Sequence, residues 1–375
     1  MEMKMKTKKV KGLHQKLNKF RKCDPITCVL MWSVNYSLSQ LRNSVPKVIL
    51  LPDDFKAFLK VKVTNHFFDR ENLPDNFRLK EYCPLVFQKF RELFLIENKK
   101  YLDSFTRQPL EWLVTDNKTS SKTLTTFDNN FLVKIIGSCE VSEVHRILLG
   151  YYEHLITSKS ETLLPNYLFM YRITLNDRDS YFIGMKNVFD PFKKNLIRYE
   201  LTGVVTDRQS NDTETIKSTT MFNDFDFLKI GQKIMLNNYY SSRLIKVLES
   251  DVEFLQSKNF TNYRLLIGIS QNSNPDMNNI YFQESHSAET EISPFEESYD
   301  YNVHRFSIKS SDKNSETIYY FGIINLLKQY GMKHKTEETY KTVTSNLDIA
   351  TMKPEQYGKR IIDFLKKSIF INDNY

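Results

Sequence analysis

Four cysteines in 375 residues are few, and Cys23, Cys28, Cys83 and Cys139 show neither CxxC spacing nor a histidine cluster nearby. A zinc site and a disulfide framework are therefore not expected, and the thiols read as reduced, mostly packing residues. No stretch approaches the roughly 20 apolar residues that a membrane span requires. The lysine-laden start lacks the apolar centre of a secretory signal, so a cytosolic chain is expected. The absence of any internal repeat argues against a solenoid. No RNP-type motif or zinc knuckle accompanies the 21 tyrosines and 27 phenylalanines. These rings read as core rather than as base-stacking platforms, and no nucleic-acid partner is expected.

What is present suits a globular protein of one large or two ordinary domains, with 41% hydrophobic residues. A net charge of +8 favours an anionic partner: phosphate, nucleic acid or the inner face of a membrane. Charge alone does not choose among them. Between residues 4 and 22, Lys6, Lys8, Lys9, Lys11, Lys16, Lys19 and Arg21 accompany Val10, Leu13, Leu17 and Phe20 at helical spacing. Such a basic amphipathic helix can lie on anionic lipid, gaining about 1 kcal/mol per basic residue close to the surface. The same residues also suit a solvated tail.

Ordered structure is expected to begin near Asp24 and Pro25, with an apolar-periodic helix over 26–41, a strand over 48–51 and a turn at 52–54. Residues 85–95 space Val86, Phe87, Phe90, Leu93 and Phe94 as a helix. Segments 131–136, 167–175 and 181–188 are short, aromatic or β-branched, and bounded by polar turns, as antiparallel strands are. Residues 271–317 turn to Asn, Ser and Glu without a period and read as a mobile insert. A buried strand follows over 318–327, then a closing helix from Pro354 to about Phe370.

Residues 251–255 read DVEFL, and 261–269 read TNYRLLIGI. This pair is similar to the DVEFL and MDYSLLVGI of the phosphatidylinositol phosphate kinases. Further stretches follow in order: DPITCVLMWSVN from Asp24, LPDDFKA from Leu51, KEYCP from Lys80, NVF from Asn187 and PEQY from Pro354. The chain resembles that family from Asp24 to its end, and most of all the type II enzymes, the phosphatidylinositol-5-phosphate 4-kinases. The resemblance implies an α+β, two-lobed kinase fold with antiparallel sheets and a flat basic membrane-facing surface. It implies a basic segment over 1–22, an N-lobe with a dimerisation sheet over 23–184, and a C-lobe carrying the insert over 185–375. Arg70, Arg78 and Lys80 would lie near the membrane face.

The same resemblance assigns roles. Lys134, in FLVKII, matches a lysine that contacts ATP, with Glu143 a weaker candidate for its ion-pair partner. Asn187 and Val188 fall in the hinge that holds the purine. The loop 118–126, which should pass over the phosphates, has no glycine, so its side chains would stand between backbone amides and anion. Ser and Thr hydroxyls, with Lys118 and Lys122, could partly substitute. The family's DLKGS is here 200–204, ELTGV, with Thr202 in place of a lysine. Asn262 replaces the catalytic Asp, and Asn325 replaces the Asp of a strand-ending IID that holds magnesium. An amide is neither a proton acceptor at neutral pH nor a good ligand for a hard cation. Asp224, Asp226 or Asp348 could compensate in a rearranged site. Lys341 and Lys353 are the remaining phosphate-seeking charges in what resembles the activation segment.

Two readings follow from the resemblance. In one the chain is a catalytically impaired type II-like kinase that binds a phosphoinositide-containing membrane and acts as a homodimer, or as a heterodimer with an active relative. In the other it is an active enzyme phosphorylating phosphatidylinositol 5-phosphate at the 4-position. ATP is the implied nucleotide, magnesium is doubtful, and the expected location is cytoplasmic and peripheral on the cytosolic face of membranes. A nucleic-acid binder exploiting the +8 charge remains as a contrast.

Overall fold

The computed structural model describes residues 24–42, 49–64, 73–74, 76–113, 123–189, 196–203, 221–270, 307–312, 317–327 and 352–371. The basic segment over 1–22 lies outside them. Two compact units emerge, one comprising Met1–Val114, Thr119–Leu149 and Asn166–Asn187, the other Thr115–Lys118, Gly150–Pro165 and Val188–Tyr375.

The first unit is built on a seven-stranded antiparallel sheet of order β1-β2-β6-β7-β5-β4-β3. Its strands are β1 (Phe58–Thr64), β2 (Asn76–Tyr82), β3 (Glu111–Trp112), β4 (Thr123–Thr125), β5 (Phe131–Ile136), β6 (Tyr167–Leu175) and β7 (Arg178–Lys186). Period-2 alternation decides the faces: Phe77, Leu79 and Glu81 of β2 are buried, while Asn76 and Arg78 are exposed and Lys80 is half-buried. Helices α1 (Pro25–Arg42), α2 (Pro84–Leu93) and α3 (Asn98–Thr106) cover the apolar face. Phe105 of α3 stacks on Phe131 of β5 at 5.4 Å and meets Phe169 of β6 edge-on. Helix α4 (Ser138–Thr157) starts in this unit, and its last turns belong to the other.

The second unit holds a five-stranded sheet, β12-β13-β11-β8-β9, antiparallel except where β8 meets β9. The strands are β8 (Leu196–Leu201), β9 (Met221–Phe222), β11 (Arg264–Ser270), β12 (Ser307–Lys309) and β13 (Ile318–Ile324). A parallel pair joins β10 (Ile234–Leu236) to β14 (Ile369–Ile371). Helices α5 (Asp224–Lys229), α6 (Asn238–Ser257) and α7 (Pro354–Ser368) complete the unit. The whole is α+β with antiparallel sheets, as the sequence suggested.

Several boundaries differ for identifiable reasons. Residues 49–51 form no strand: Ile49 and Leu51 are exposed, and the Leu51 amide donates to the Asp54 carboxylate at 2.8 Å, opening a 3-10 helix, Pro52–Phe55. Strand β7 starts three residues early because Asn176 and Asp177, with φ of 50° and 57°, make a tight hairpin with β6. The closing helix stops at Ser368 because Ile369–Ile371 leaves it to pair with β10. Structure returns within 271–317 at β12, which pairs with β13. Residues 271–306 and 313–316 of the expected insert lie outside the described residues.

Candidate functional site

In the second unit, the sheet brings three polar side chains to one end. Cross-strand register sets Leu266 opposite Glu200 and Arg264 opposite Ile324, so Glu200 and Arg264 share a face and Asn325 follows directly off β13. A single oxygen, Glu200 Oε1, accepts from Arg264 Nη1 at 3.0 Å and from Asn325 Nδ2 at 3.1 Å. Asn262 stands just before β11, half-buried, with no side-chain hydrogen bond to a described residue. Both Asn262 and Asn325 have φ of 62°, the left-handed conformation that Asn and Asp tolerate best after glycine. An aspartate would fit either backbone equally well, so the amides differ from carboxylates here in charge, not in shape.

Thr202 is fixed by Asp224. The Asp224 carboxylate accepts from the Thr202 amide at 3.0 and 2.9 Å, the Thr202 hydroxyl at 2.9 Å and the Gly203 amide at 2.7 Å. Burial pushes the Asp224 carboxyl up, and these hydrogen bonds oppose the rise. Gly203, at φ 73°, passes within 3.2 Å of the Arg360 backbone oxygen, measured from where a Cβ would be, and so leaves no room for a side chain. Arg360 Nε in turn donates to the Thr202 carbonyl at 3.1 Å. Asp226 is engaged in a reciprocal cap with Asn223. Asp224 and Asp226 are thus tied to turn and helix ends, and Asp348 lies outside the described residues.

In the first unit, Lys134 sits half-buried on β5 opposite Thr123 and Ile183. Glu143, on α4, is buried and pairs with Arg146 at 2.9 Å rather than with Lys134. Asn187 is held against the β4–β5 turn: its amide donates to the Asn130 carbonyl and its Nδ2 to the Asn129 carbonyl, each at 2.8 Å. Within the second unit, Val188 packs on the cluster of Phe189, Leu196, Leu266 and Tyr320. Of the glycine-free loop, only 123–126 is described. There the Thr126 hydroxyl donates to Asp128 at 2.6 Å and the Thr125 hydroxyl to Asn129 at 3.0 Å, so both serve the turn.

The sequence model of the phosphatidylinositol-4-phosphate 5-kinase family matches residues 104–368. Phosphatidylinositol 5-phosphate 4-kinase type-2 gamma of Xenopus tropicalis is 34% identical over 389 residues, covering 96% of this chain and 92% of that protein. The type-2 alpha enzyme of Homo sapiens is 33% identical over 389 residues, covering 96% and 95%. This chain belongs to the phosphatidylinositol phosphate kinase family. Among its members it is type II-like, and the family implies ATP as nucleotide and lipid as substrate.

Among the described residues, the cluster of Glu200, Arg264 and Asn325 does not fit magnesium, which the kinase family implies. Magnesium takes oxygen lone pairs at about 2.0–2.1 Å, with one or two protein carboxylates completed by water and substrate phosphates. Here Asn325 presents its N–H to Glu200, and a guanidinium is paired to the same oxygen. No three His, Cys, Asp or Glu side chains gather as a metal site among the described residues.

The kinase signature DVEFL proves to be a structural clamp. Asp251, fully buried, accepts from the Thr162 hydroxyl at 2.7 Å and the Leu163 amide at 2.6 Å, and meets His154 Nε2 at 2.6 Å. It pins the 158–165 turn, whose Leu163 carbonyl accepts from Ile323 of β13 at 2.7 Å. Arg264, which no charge or spacing pattern marks, stands where the family segment MDYSLLVGI has serine.

On the first unit's sheet, Lys60, Lys80 and Arg172 lie opposite one another, beside Lys62 opposite Arg78. Lys80 Nζ is 4.5 Å from the Phe58 ring centroid and 4.3 Å from that of Tyr82, and burial, Arg172 and Lys60 lower its pKa. Arg78 pairs with exposed Asp177 at 2.9 Å. Arg70 and Lys341 lie outside the described residues. Among the described residues no helix is long and apolar enough to cross a membrane.

Proposed function

We propose that this chain is a catalytically impaired type II-like phosphatidylinositol phosphate kinase that works by binding phosphoinositide at a membrane surface and by dimerising. The observation that carries the reading is the Asn325 amide donating to Glu200 where a metal-binding carboxylate would be required. Asn262 adds to it, since losing a general acid or base alone costs about 10²- to 10⁴-fold in rate. Nucleotide binding is retained in this reading: Lys134 contacts phosphate, and the backbone at Asn187 and Val188 borders the purine. The Asn187 amide is already bonded to Asn130, so the hinge donor falls to Val188 or beyond.

The lipid surface is the basic sheet face bearing Arg78 and Lys80, with the protein peripheral on the cytosolic side; Arg70 and Lys341, the other lipid-contacting candidates of the sequence, lie outside the described residues. Cross-strand cations with aromatic neighbours support this surface, because solvent-reaching ammonium groups beside aromatic rings suit an anionic interface. Dimerisation through the N-lobe is supported by β1, an outermost strand that pairs only with β2 among the described residues. The lobes are taken as 23–184 and 185–375, preceded by the basic segment 1–22.

One preparation tests both halves of the reading. Purified protein should co-sediment with vesicles containing phosphatidylinositol 5-phosphate, yet transfer radiolabel from ATP to lipid at least about 100-fold more slowly than a type-2 alpha relative assayed beside it. Transfer at the relative's rate that vanishes in Lys134→Ala would defeat the proposal.

A further inference from the structure

The cluster of Glu200, Arg264 and Asn325 has a charge balance that a metal site does not. Two carboxylates facing across about 3 Å repel unless a cation lies between them. With an amide at 325 donating to Glu200 Oε1, that repulsion is gone, and Arg264 supplies the positive charge from the protein itself. The cluster sums to zero without any ion. A divalent cation brought to Glu200 would instead meet a fixed guanidinium 3.0 Å from the oxygen it needs.

Arg264 is also available to a ligand. Its side chain is 43% exposed against 19% for Glu200. A guanidinium has five N–H donors in a planar fork, and the bond to Glu200 engages one edge of it. The fork geometry matches phosphate oxygens, to which Arg binds in bidentate fashion through charge-assisted hydrogen bonds. Positioning is firm, because Arg264 pairs with Ile324 of β13 and the strand it opens is held by β8 as well from Leu265 onward.

We propose that Arg264 takes the place of the divalent ion, so that the protein binds the polyphosphate of a nucleotide as the metal-free anion. This rests on the family reading above, but it concerns binding rather than turnover. The probe is ATP, and the readout is the dissociation constant of the full chain in excess EDTA and in excess magnesium. Wild type should bind in EDTA, with magnesium tightening binding by no more than about twofold. Arg264→Ser should weaken binding in EDTA by at least about tenfold, the worth of one charge-assisted hydrogen bond. Arg264→Lys, which keeps the charge and its pairing with Glu200, should bind in EDTA more tightly than the Ser variant and guards against a mere folding defect. Arg264→Ser with Asn325→Asp should bind only with magnesium. Wild-type binding that requires magnesium, no binding in either condition, or an Arg264→Ser affinity equal to wild type in EDTA would overturn the proposal. Impaired lipid phosphorylation would survive each of those outcomes, and metal-free binding would survive a fully active enzyme.

Discussion

Glu81 shows how a single residue reports on its surroundings. It is fully buried on β2, accepts from the Ser37 hydroxyl of α1 at 2.7 Å, and faces Arg91 of α2, Tyr101 of α3 and Tyr171 of β6. Burial pushes its carboxyl up to about 7, against the hydrogen bond from Ser37 and the charge of Arg91. Its Oε2, the Nε and Nη2 atoms of Arg91 and the Tyr101 hydroxyl have no hydrogen-bond partner among the described residues. A carboxyl that holds its proton longer when folded than at its ordinary 4.5 favours the folded state at low pH. That contribution is complete below about 4.5, falls by about 1.4 kcal/mol per pH unit as the pH rises toward 7, and is constant above. Urea unfolding at pH 5, 6 and 7 should show this slope in wild type relative to Glu81→Gln; parallel profiles would show that Glu81 is ionised in the fold. Nothing in the sequence marked this glutamate, since its neighbours come from four other elements. Asn262 and Asn325 were legible because a known pattern ran through them, whereas their left-handed backbone was not.

At the level of elements, period and turn chemistry identified the long apolar pieces well. The strand over 131–136 matches β5, 167–175 matches β6, and the helix over 26–41 is α1 within a residue at each end. Failures fell where one side chain redirects the backbone, as Asp54 does at Leu51 and the Asn176–Asp177 turn does at β7. The C-terminal strand β14 was invisible because its pairing with β10 is long-range. Packing of α6 on α7 turns on Gly358, which lies after the family PEQY: a Cβ there would stand 2.3 Å from Val252 Cγ1 and 3.1 Å from the Tyr263 hydroxyl. The Tyr357 hydroxyl next to it donates to the Tyr263 carbonyl, tying α7 to the residues before β11. Gly358→Ala should therefore cost about 1–3 kcal/mol in chemical denaturation, despite alanine's better helix propensity. A stabilised variant would mean that the helices can separate without penalty.

On the scale of the whole molecule, composition excluded much and chose little. A charge of +8 was compatible with several anionic partners, and only the ordered run of motifs selected a lipid kinase. The site was half legible for the same reason. A departure from a family motif shows in a sequence, but the pairing of Arg264 with Glu200 shows only once β8, β11 and β13 are aligned. In this account the chain keeps the scaffold of its family while Asn262, Asn325 and Arg264 remove its chemistry. The most direct test restores the three together, as Asn262→Asp, Asn325→Asp and Arg264→Ser, and compares lipid phosphorylation with wild type under saturating ATP and magnesium. A magnesium-dependent gain of at least about 100-fold is predicted. A wild-type rate equal to that of the restored variant would contradict the account.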